Sequence, residues 1–314
     1  MKKIVILSVI LIGVISANVA DAYWIWTPES GKWMNPKYAV KDTPKEQYDW
    51  AMNFFEAKDY KRGISEFQKL VNSYPRSEYA PRSQYYIGLC HEELGNYYEA
   101  FLAYQQVMDK YPYTEKTDEI IEREFRIGNL FLGGQKDKIL GVPIMPSMEK
   151  AIEIYQKVAS NAPYGQYADK AQYQLGLTFK KLERYDEAVL AFKKFSDQYP
   201  KSDLLEQVKY ELAYCLSRAS GRPGYDQRFT DEAIEVFEGV AKQTGQGSDI
   251  DKSLAGLKEK KARSDFDTGK FYERQKQYKS ALIYYQGIVD RYPQTTVAVK
   301  AAEKVKELKN KVKR

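Results

Sequence analysis

From about residue 45 onward, small, apolar and aromatic residues recur three and four places apart with charged residues between them, the spacing of amphipathic helices. The dipeptide Tyr-Pro punctuates this pattern at Tyr74-Pro75, Tyr111-Pro112, Tyr199-Pro200 and Tyr292-Pro293, with Ala162-Pro163 as a variant. Pro75 and Pro112 are 37 residues apart, as are Pro163 and Pro200. Two places after each proline stands Ser77, Thr114, Gly165, Ser202 or Thr295, all acceptable helix N-caps. Proline is therefore expected to end one helix and the cap to open the next.

Upstream of each proline a fixed order of small and aromatic residues returns. Gly88, Ala100, Tyr104 and Pro112 fall on the tetratricopeptide positions for a small residue, Ala, an aromatic and Pro. Ala51, Gly63, Phe67 and Pro75 fit the first repeat, Gly176, Ala188, Phe192 and Pro200 the fourth, and Gly269, Ala281, Tyr285 and Pro293 the last. Two repeats are interrupted. Gly128 and Ala151 stand 23 apart where 12 is normal, an 11-residue insertion, and Ala213 and Ala233 stand 20 apart, an 8-residue one. Small residues let one helix approach the next while aromatics fill the space beside them. The expectation is an all-α fold, a right-handed tetratricopeptide-repeat solenoid of six helical hairpins over residues 45–296, with a C-terminal basic helix over 297–314 as a polar cap. The Lys-rich face of that helix reads as a solvated surface or as a membrane-surface contact.

Residues 1–22 read as a signal peptide. Lys2 and Lys3 precede an apolar stretch from Ile4 to Ile15, and Ala20-Asp21-Ala22 places small residues at −3 and −1 of a cleavage site after Ala22. Without Lys2, Lys3 and Asp21 the chain carries 47 basic against 42 acidic residues, too even a balance to argue for nucleic acid. Cys90 and Cys215 lie mid-helix three repeats apart, beyond reach of a disulfide, and read as small buried apolar residues. The Trp-rich segment 23–44 holds Trp24, Trp26 and Trp33. These read as a cap on the first repeat, as anchors at a membrane interface, or as a partner-docking element.

Chemistry for catalysis is missing: no HExxH, phosphate-binding glycine loop or GxSxG elbow occurs, so neither an enzyme, a cofactor nor a metal site is expected. His91 reads as a packed histidine. Asp249, Asp251 and Ser253 imitate the start of a calcium loop, but Leu254 takes its glycine position and Lys260 its bidentate Glu position. Residues 245–256 are expected as a flexible loop. Function then belongs to surfaces, and 27 of the aromatics are Tyr, suited to half-wet grooves. One position of each repeat's first helix is aromatic throughout: Tyr48, Tyr85, Phe125, Tyr173, Tyr210 and Phe266. This stripe is either packing between repeats, displaced one place from the consensus Trp (here Gln47, Gln84, Glu124, Gln172, Lys209 and Asp265), or a peptide-binding surface. The second reading assigns peptide or partner binding to Tyr48, Phe55, Arg82, Tyr85 and Leu89, with Met52 and Glu92 beside them.

The linkers YPRSEYAPRSQYYIG and YPKSDLLEQVKYELAY, the 37-residue spacing, the signal peptide and the insertion in the third repeat together resemble the BamD (YfiO-like) family of outer-membrane assembly proteins, over Pro44 to Arg314. That resemblance implies a non-enzymatic periplasmic scaffold, peripheral to the outer membrane, whose partners are the barrel-inserting protein and unfolded β-barrel clients. Similar repeats occur in envelope scaffolds that coordinate cell-wall synthesis with outer-membrane constriction in the Tol-Pal system. Two features depart from the family pattern: six repeats stand in place of five, and no Cys precedes Cys90. A start at Tyr23 without a lipid anchor is therefore expected.

Overall fold

Proline lacks an N–H and restrains the residue before it, so each Tyr-Pro step stops a helix. The structure, a computed structural model, describes residues 25–27, 32–34, 39–134, 138–139, 142–143, 148–221, 227–244 and 248–312. Among them are thirteen α-helices, and the chain divides into two compact units, Met1–Thr114 and Glu115–Arg314. The first unit contains α1 (Pro44–Glu56), α2 (Tyr60–Ser73), α3 (Tyr79–Glu93) and α4 (Tyr97–Lys110). Successive helices pack together, and α1 also touches α3. The second unit contains α5 (Thr117–Leu132), α6 (Met148–Asn161), α7 (Ala168–Lys181), α8 (Tyr185–Gln198) and α9 (Leu205–Ala219). It continues through α10 (Arg228–Thr244), α11 (Ser248–Arg274), α12 (Tyr278–Arg291) and α13 (Thr296–Val312), again with successive helices packed together. Two short antiparallel ribbons accompany the helices. β1 (Ile25–Thr27) pairs with β2 (Lys32–Met34), and β3 (Lys138–Ile139) pairs with β4 (Val142–Pro143) inside the third repeat's insertion. The helices make six tetratricopeptide hairpins and a closing helix, the all-α architecture that the spacing predicts.

Two recurring turns explain the period. Within a hairpin the first helix ends on a residue of positive φ: Lys58 (59°), Gly95 (73°), Glu183 (57°) or Lys276 (59°). The N–H after it reaches back to close a Schellman turn, as in Asp59 to Phe54 O (2.9 Å) and Asn96 to His91 O (2.9 Å). Between hairpins, the N–H groups of Ser77, Thr114, Gly165, Ser202 and Thr295 donate to the carbonyls of Tyr74, Tyr111, Ala162, Tyr199 and Tyr292 at 2.9 to 3.1 Å. These residues thus close a backbone turn rather than acting uniformly as N-caps. Thr295 Oγ1 does accept from the Ala298 N–H at 3.2 Å, and Ser202 Oγ from the Leu204 N–H at 3.2 Å. Ser77 Oγ is buried without a partner among the described residues, and α3 begins without a side-chain cap.

The small-to-aromatic contact is the centre of each hairpin. Tyr104 lies on Gly88, Tyr155 on Gly128, Phe192 on Gly176 and Tyr285 on Gly269. The tyrosine hydroxyls are satisfied at the rim, by Glu92 Oε1 (2.6 Å), Asn129 Oδ1 (2.7 Å) and Glu273 Oε2 (3.0 Å), so a polar ring tip is carried into the core without an orphaned group. At the consensus Trp position a buried glutamine clamps the hairpin instead. Gln47, Gln84 and Gln172 donate through Nε2 to the carbonyls of Glu66 (3.0 Å), Ala103 (3.1 Å) and Ala191 (2.9 Å) on the second helix. A helix carbonyl has a second lone pair for this purpose, and each such bond contributes about 1 kcal/mol.

One expectation is corrected near the C-terminus. Residues 248–256 are helical, forming the start of the 27-residue α11. Asp249 and Asp251 fall in its first turn, where their charge suits the helix dipole, and the helix packs on α10, with Leu257 buried one place past Gly256. α13 packs on α11 and α12, burying Val297, Ala298, Ala301, Val305 and Leu308. Cys90 and Cys215 are free and buried as expected, and burial pushes each thiol up to about 12, so both stay protonated at neutral pH.

Candidate functional site

Each aromatic of the first-helix stripe packs on an aromatic of its own second helix. Ring centroids lie 6.0 Å apart for Tyr48–Phe67, 5.8 Å for Tyr85–Tyr104 and 5.9 Å for Phe125–Tyr155. The distances are 6.2 Å for Tyr173–Phe192, 6.1 Å for Tyr210–Phe237 and 5.1 Å for Phe266–Tyr285. These partners are 19 residues apart in four repeats, and 30 and 27 apart in the two that carry insertions. The stripe is thus packing within each repeat, and its members differ in the surface they leave to solvent. Tyr85 is 3% exposed, which corrects its assignment to a groove: its ring is spent between Tyr104 and Tyr86. Tyr210 is 37% exposed, and Tyr48, Phe125 and Tyr173 are half-buried.

In the first unit the exposed edge of this packing gathers into a cluster around Tyr86. Its ring lies 4.9 Å from Phe55, 5.3 Å from Phe67 in a stacked pair, and 6.1 Å from Tyr48. Tyr48 also meets Tyr79 at 5.3 Å, and Phe55 meets Tyr60 at 5.7 Å. Tyr48, Met52, Phe55, Tyr60 and Tyr86 are all half-buried against the core formed by Ala51, Phe67, Val71, Ile87, Cys90 and Ala103. Burial holds the Tyr48 hydroxyl above its ordinary pKa, Tyr86 adds to the rise, and the positive charge of exposed Arg82 opposes it. Tyr48, Phe55 and Arg82 are therefore brought together. Leu89 is half-buried one turn beyond Tyr85 on α3. Trp24 lies outside the described residues, and Trp26 and Trp33 are described only as backbone, opposite one another in the β1–β2 ladder.

Tyr86 was not singled out by the stripe, yet a signal exists. The other repeats place Asp49, Arg126, Gln174, Glu211 and Asp267 at its position. An aromatic where every other repeat puts a polar residue marks a departure from the solvated default.

His91, the single histidine of the chain, is half-buried, and its Nδ1 has no hydrogen-bond partner among the described residues. Burial holds its pKa below the ordinary 6.5, against a smaller opposing effect of Glu99. The unfolded chain therefore binds this proton at higher pH than the folded one, and stability is lost as pH falls through the ordinary histidine value. Melting temperatures are expected to fall between pH 7 and pH 5, and His91→Phe to reduce that fall. The imidazole titration followed by NMR checks the sign directly.

Among the described residues no three His, Cys, Asp or Glu side chains gather in a way that holds a metal ion, and no helix is long and apolar enough to cross a membrane. The cluster offers aromatic contact and the one cation that acts on Tyr48.

Comparison with known proteins agrees with the repeats. A tetratricopeptide repeat model matches residues 47–77 and 82–112, and the YfiO outer membrane lipoprotein model matches residues 145–313. No curated protein matches the chain. Similar solved structures include a tetratricopeptide repeat protein from Parabacteroides merdae, at 15% identity, covering 84% of this chain and 98% of that one with a TM-score of 0.31. The C-terminal part of a TPR repeat-containing protein from Cytophaga hutchinsonii matches at 15% identity, 83% and 88% coverage and a TM-score of 0.33. MamA from Desulfovibrio magneticus matches at 16% identity, 67% and 100% coverage and a TM-score of 0.30. The family's description as lipoproteins runs against the expectation of an unacylated start at Tyr23, which lies outside the described residues. With more than half of its length matched by the family model, the chain belongs to the YfiO family of outer membrane lipoproteins.

Proposed function

We propose that this protein is a non-enzymatic envelope scaffold in the assembly of outer-membrane β-barrel proteins, holding the barrel-inserting protein and receiving unfolded clients on the aromatic cluster of its first two repeats. The observation that carries the reading is the half-buried group of Tyr48, Phe55, Tyr60 and Tyr86 with exposed Arg82 beside it. Barrel strands alternate apolar and polar residues and are flanked by aromatic girdles, so an unfolded client offers aromatic side chains on an extended backbone. Rings of this kind pack on such side chains edge-on or stacked, and a guanidinium donates to a chain-terminal carboxylate.

Photo-crosslinking from Phe55 and Tyr86 in intact envelopes tests this assignment. Recovery of a barrel-type insertase or of barrel precursors supports it. Recovery of peptidoglycan synthases or Tol components, with no barrel protein, would assign the chain to constriction of the envelope instead. The same preparation settles attachment. Intact-mass measurement of the exported protein gives the residue at which the mature chain begins and whether it carries the acyl group that the family's lipoprotein character implies.

A further inference from the structure

The third, fourth and fifth repeats bury a recurring apolar pair on the first helix, where the second has Ile87 and the half-buried His91. Ile127 and Phe131 are each 1% exposed, Leu175 and Phe179 are 6% and 7%, and Leu212 and Leu216 are 6% and 0%. For Leu175 and Phe179, the groove that they line is walled by Glu153, Gln156, Lys157 and Ser160 of α6, the last helix of the preceding repeat. The corresponding residues of the first repeat are Trp50 and Phe54. Their rings meet edge-on at 5.1 Å, and Trp50 is 40% exposed because no described helix precedes α1. A terminal repeat of a solenoid normally turns a polar face outward. Here the first repeat turns out a tryptophan and a phenylalanine.

The chain just ahead of α1 is already fastened beside this face. The Lys41 N–H donates to Gln47 Oε1 (2.9 Å), and Tyr74 OH donates to the carbonyls of Lys41 (2.7 Å) and Asp42 (3.1 Å). The Lys41 ammonium lies 4.6 Å from the centre of the Trp50 ring, and the Arg62 guanidinium 6.0 Å from that of Phe54. Lys41 lies seven Cα steps from Met34, the end of β2, a stretch that spans at most about 25 Å when extended. Trp50 is well within that reach. The β1–β2 ribbon has strands of three residues, with Trp26 opposite Trp33. A two-stranded ribbon of this size is marginal in water unless it packs on something.

We infer that the Trp-rich segment 23–38, which carries β1 and β2, docks on the Trp50–Phe54 face of α1, taking the place that the preceding helix fills beside Leu175 and Phe179. The segment brings three tryptophans to a face that no described helix covers, and the Lys41 anchor makes the encounter intramolecular. Docking closes the array at its first repeat and ties the segment's position to the fold of α1.

The test uses the exported full chain. Trp24, Trp26 and Trp33 are replaced together by Phe in one variant and by Ser in another, leaving Trp50 as the sole tryptophan of the four. The Phe variant is expected to keep Trp50 shielded from acrylamide. In the Ser variant quenching rises severalfold and the amides of α1 exchange faster, while those of α12, in the other unit, keep their protection. Equal quenching of Trp50 in both variants would overturn the inference. So would a Trp50→Phe protein whose remaining tryptophans become shielded only when anionic phospholipid vesicles are added, which would assign the ribbon to the membrane surface.

Discussion

Replacing Gly88 by alanine is expected to lower the stability of the first unit by roughly 1 to 3 kcal/mol, even though alanine is the better helix former. A Cβ at residue 88 would stand 2.3 Å from Cε1 of Tyr104, a ring that is fully buried and cannot withdraw. The neighbouring helix must then move as a whole, or Tyr104 must surrender its 2.6 Å hydrogen bond to Glu92. The same change at Gly176, where Phe192 lies 2.4 Å from the new Cβ, should cost the second unit a comparable amount. Gly239 supplies the control. It is exposed within α10 with nothing near its missing side chain, so Gly239→Ala should stabilise by up to about 1 kcal/mol through helix propensity alone. Denaturant titrations of the variants measure these differences. Combining Gly88→Ala with Tyr104→Leu, which removes the ring, should make the alanine cost less than it does alone. Alanine tolerated at residue 88 with Tyr104 intact would contradict the repeat register.

That register was the most readable part of the sequence, because a glycine facing a ring leaves a mark in both helices at a constant distance. The 19-residue partner spacing even carries through the insertions, which lengthen it to 30 and 27 without disturbing the contact. Burial within an aromatic pair was harder to read. Tyr85 and Tyr86 are adjacent, and a helix turns about 100° between them, so the two rings leave the helix in different directions. Spacing across repeats favoured the position of Tyr85, and it is that residue which the core takes. Glycine and aspartate at residues 245–256 suggested a loop for a similar reason: composition alone does not register that α11 continues well past one repeat's length and finds α10 to pack on. The polar residues after each proline were read as caps because their types fit, whereas the Tyr-Pro turn is closed by the backbone and uses the side chain at only some positions.

A peptide from the last strand of an outer-membrane barrel protein is expected to bind the folded chain and to lose about 2 kcal/mol, roughly 30-fold in affinity, when either Phe55 or Tyr86 becomes alanine. Both rings are half-buried, so truncation removes a wall of the cluster while the fully buried Phe67 and Ala51 beneath it remain in place. Arg82 tests a different part of the contact. It is exposed beside Tyr48, and Arg82→Gln should weaken a peptide with a free carboxylate more than the same peptide amidated at its C-terminus. Tyr210→Ala, which removes a 37% exposed ring of the same stripe in the other unit, should leave affinity unchanged. Tyr85→Ala is not an equivalent probe, because that ring is core and its loss reports on folding. Circular dichroism of each variant separates a lost contact from a lost fold. If Phe55→Ala and Tyr86→Ala bind as tightly as the parent chain, or if replacing the peptide's aromatics by alanine changes nothing, the aromatic edge is only the outer layer of the core and clients are received elsewhere.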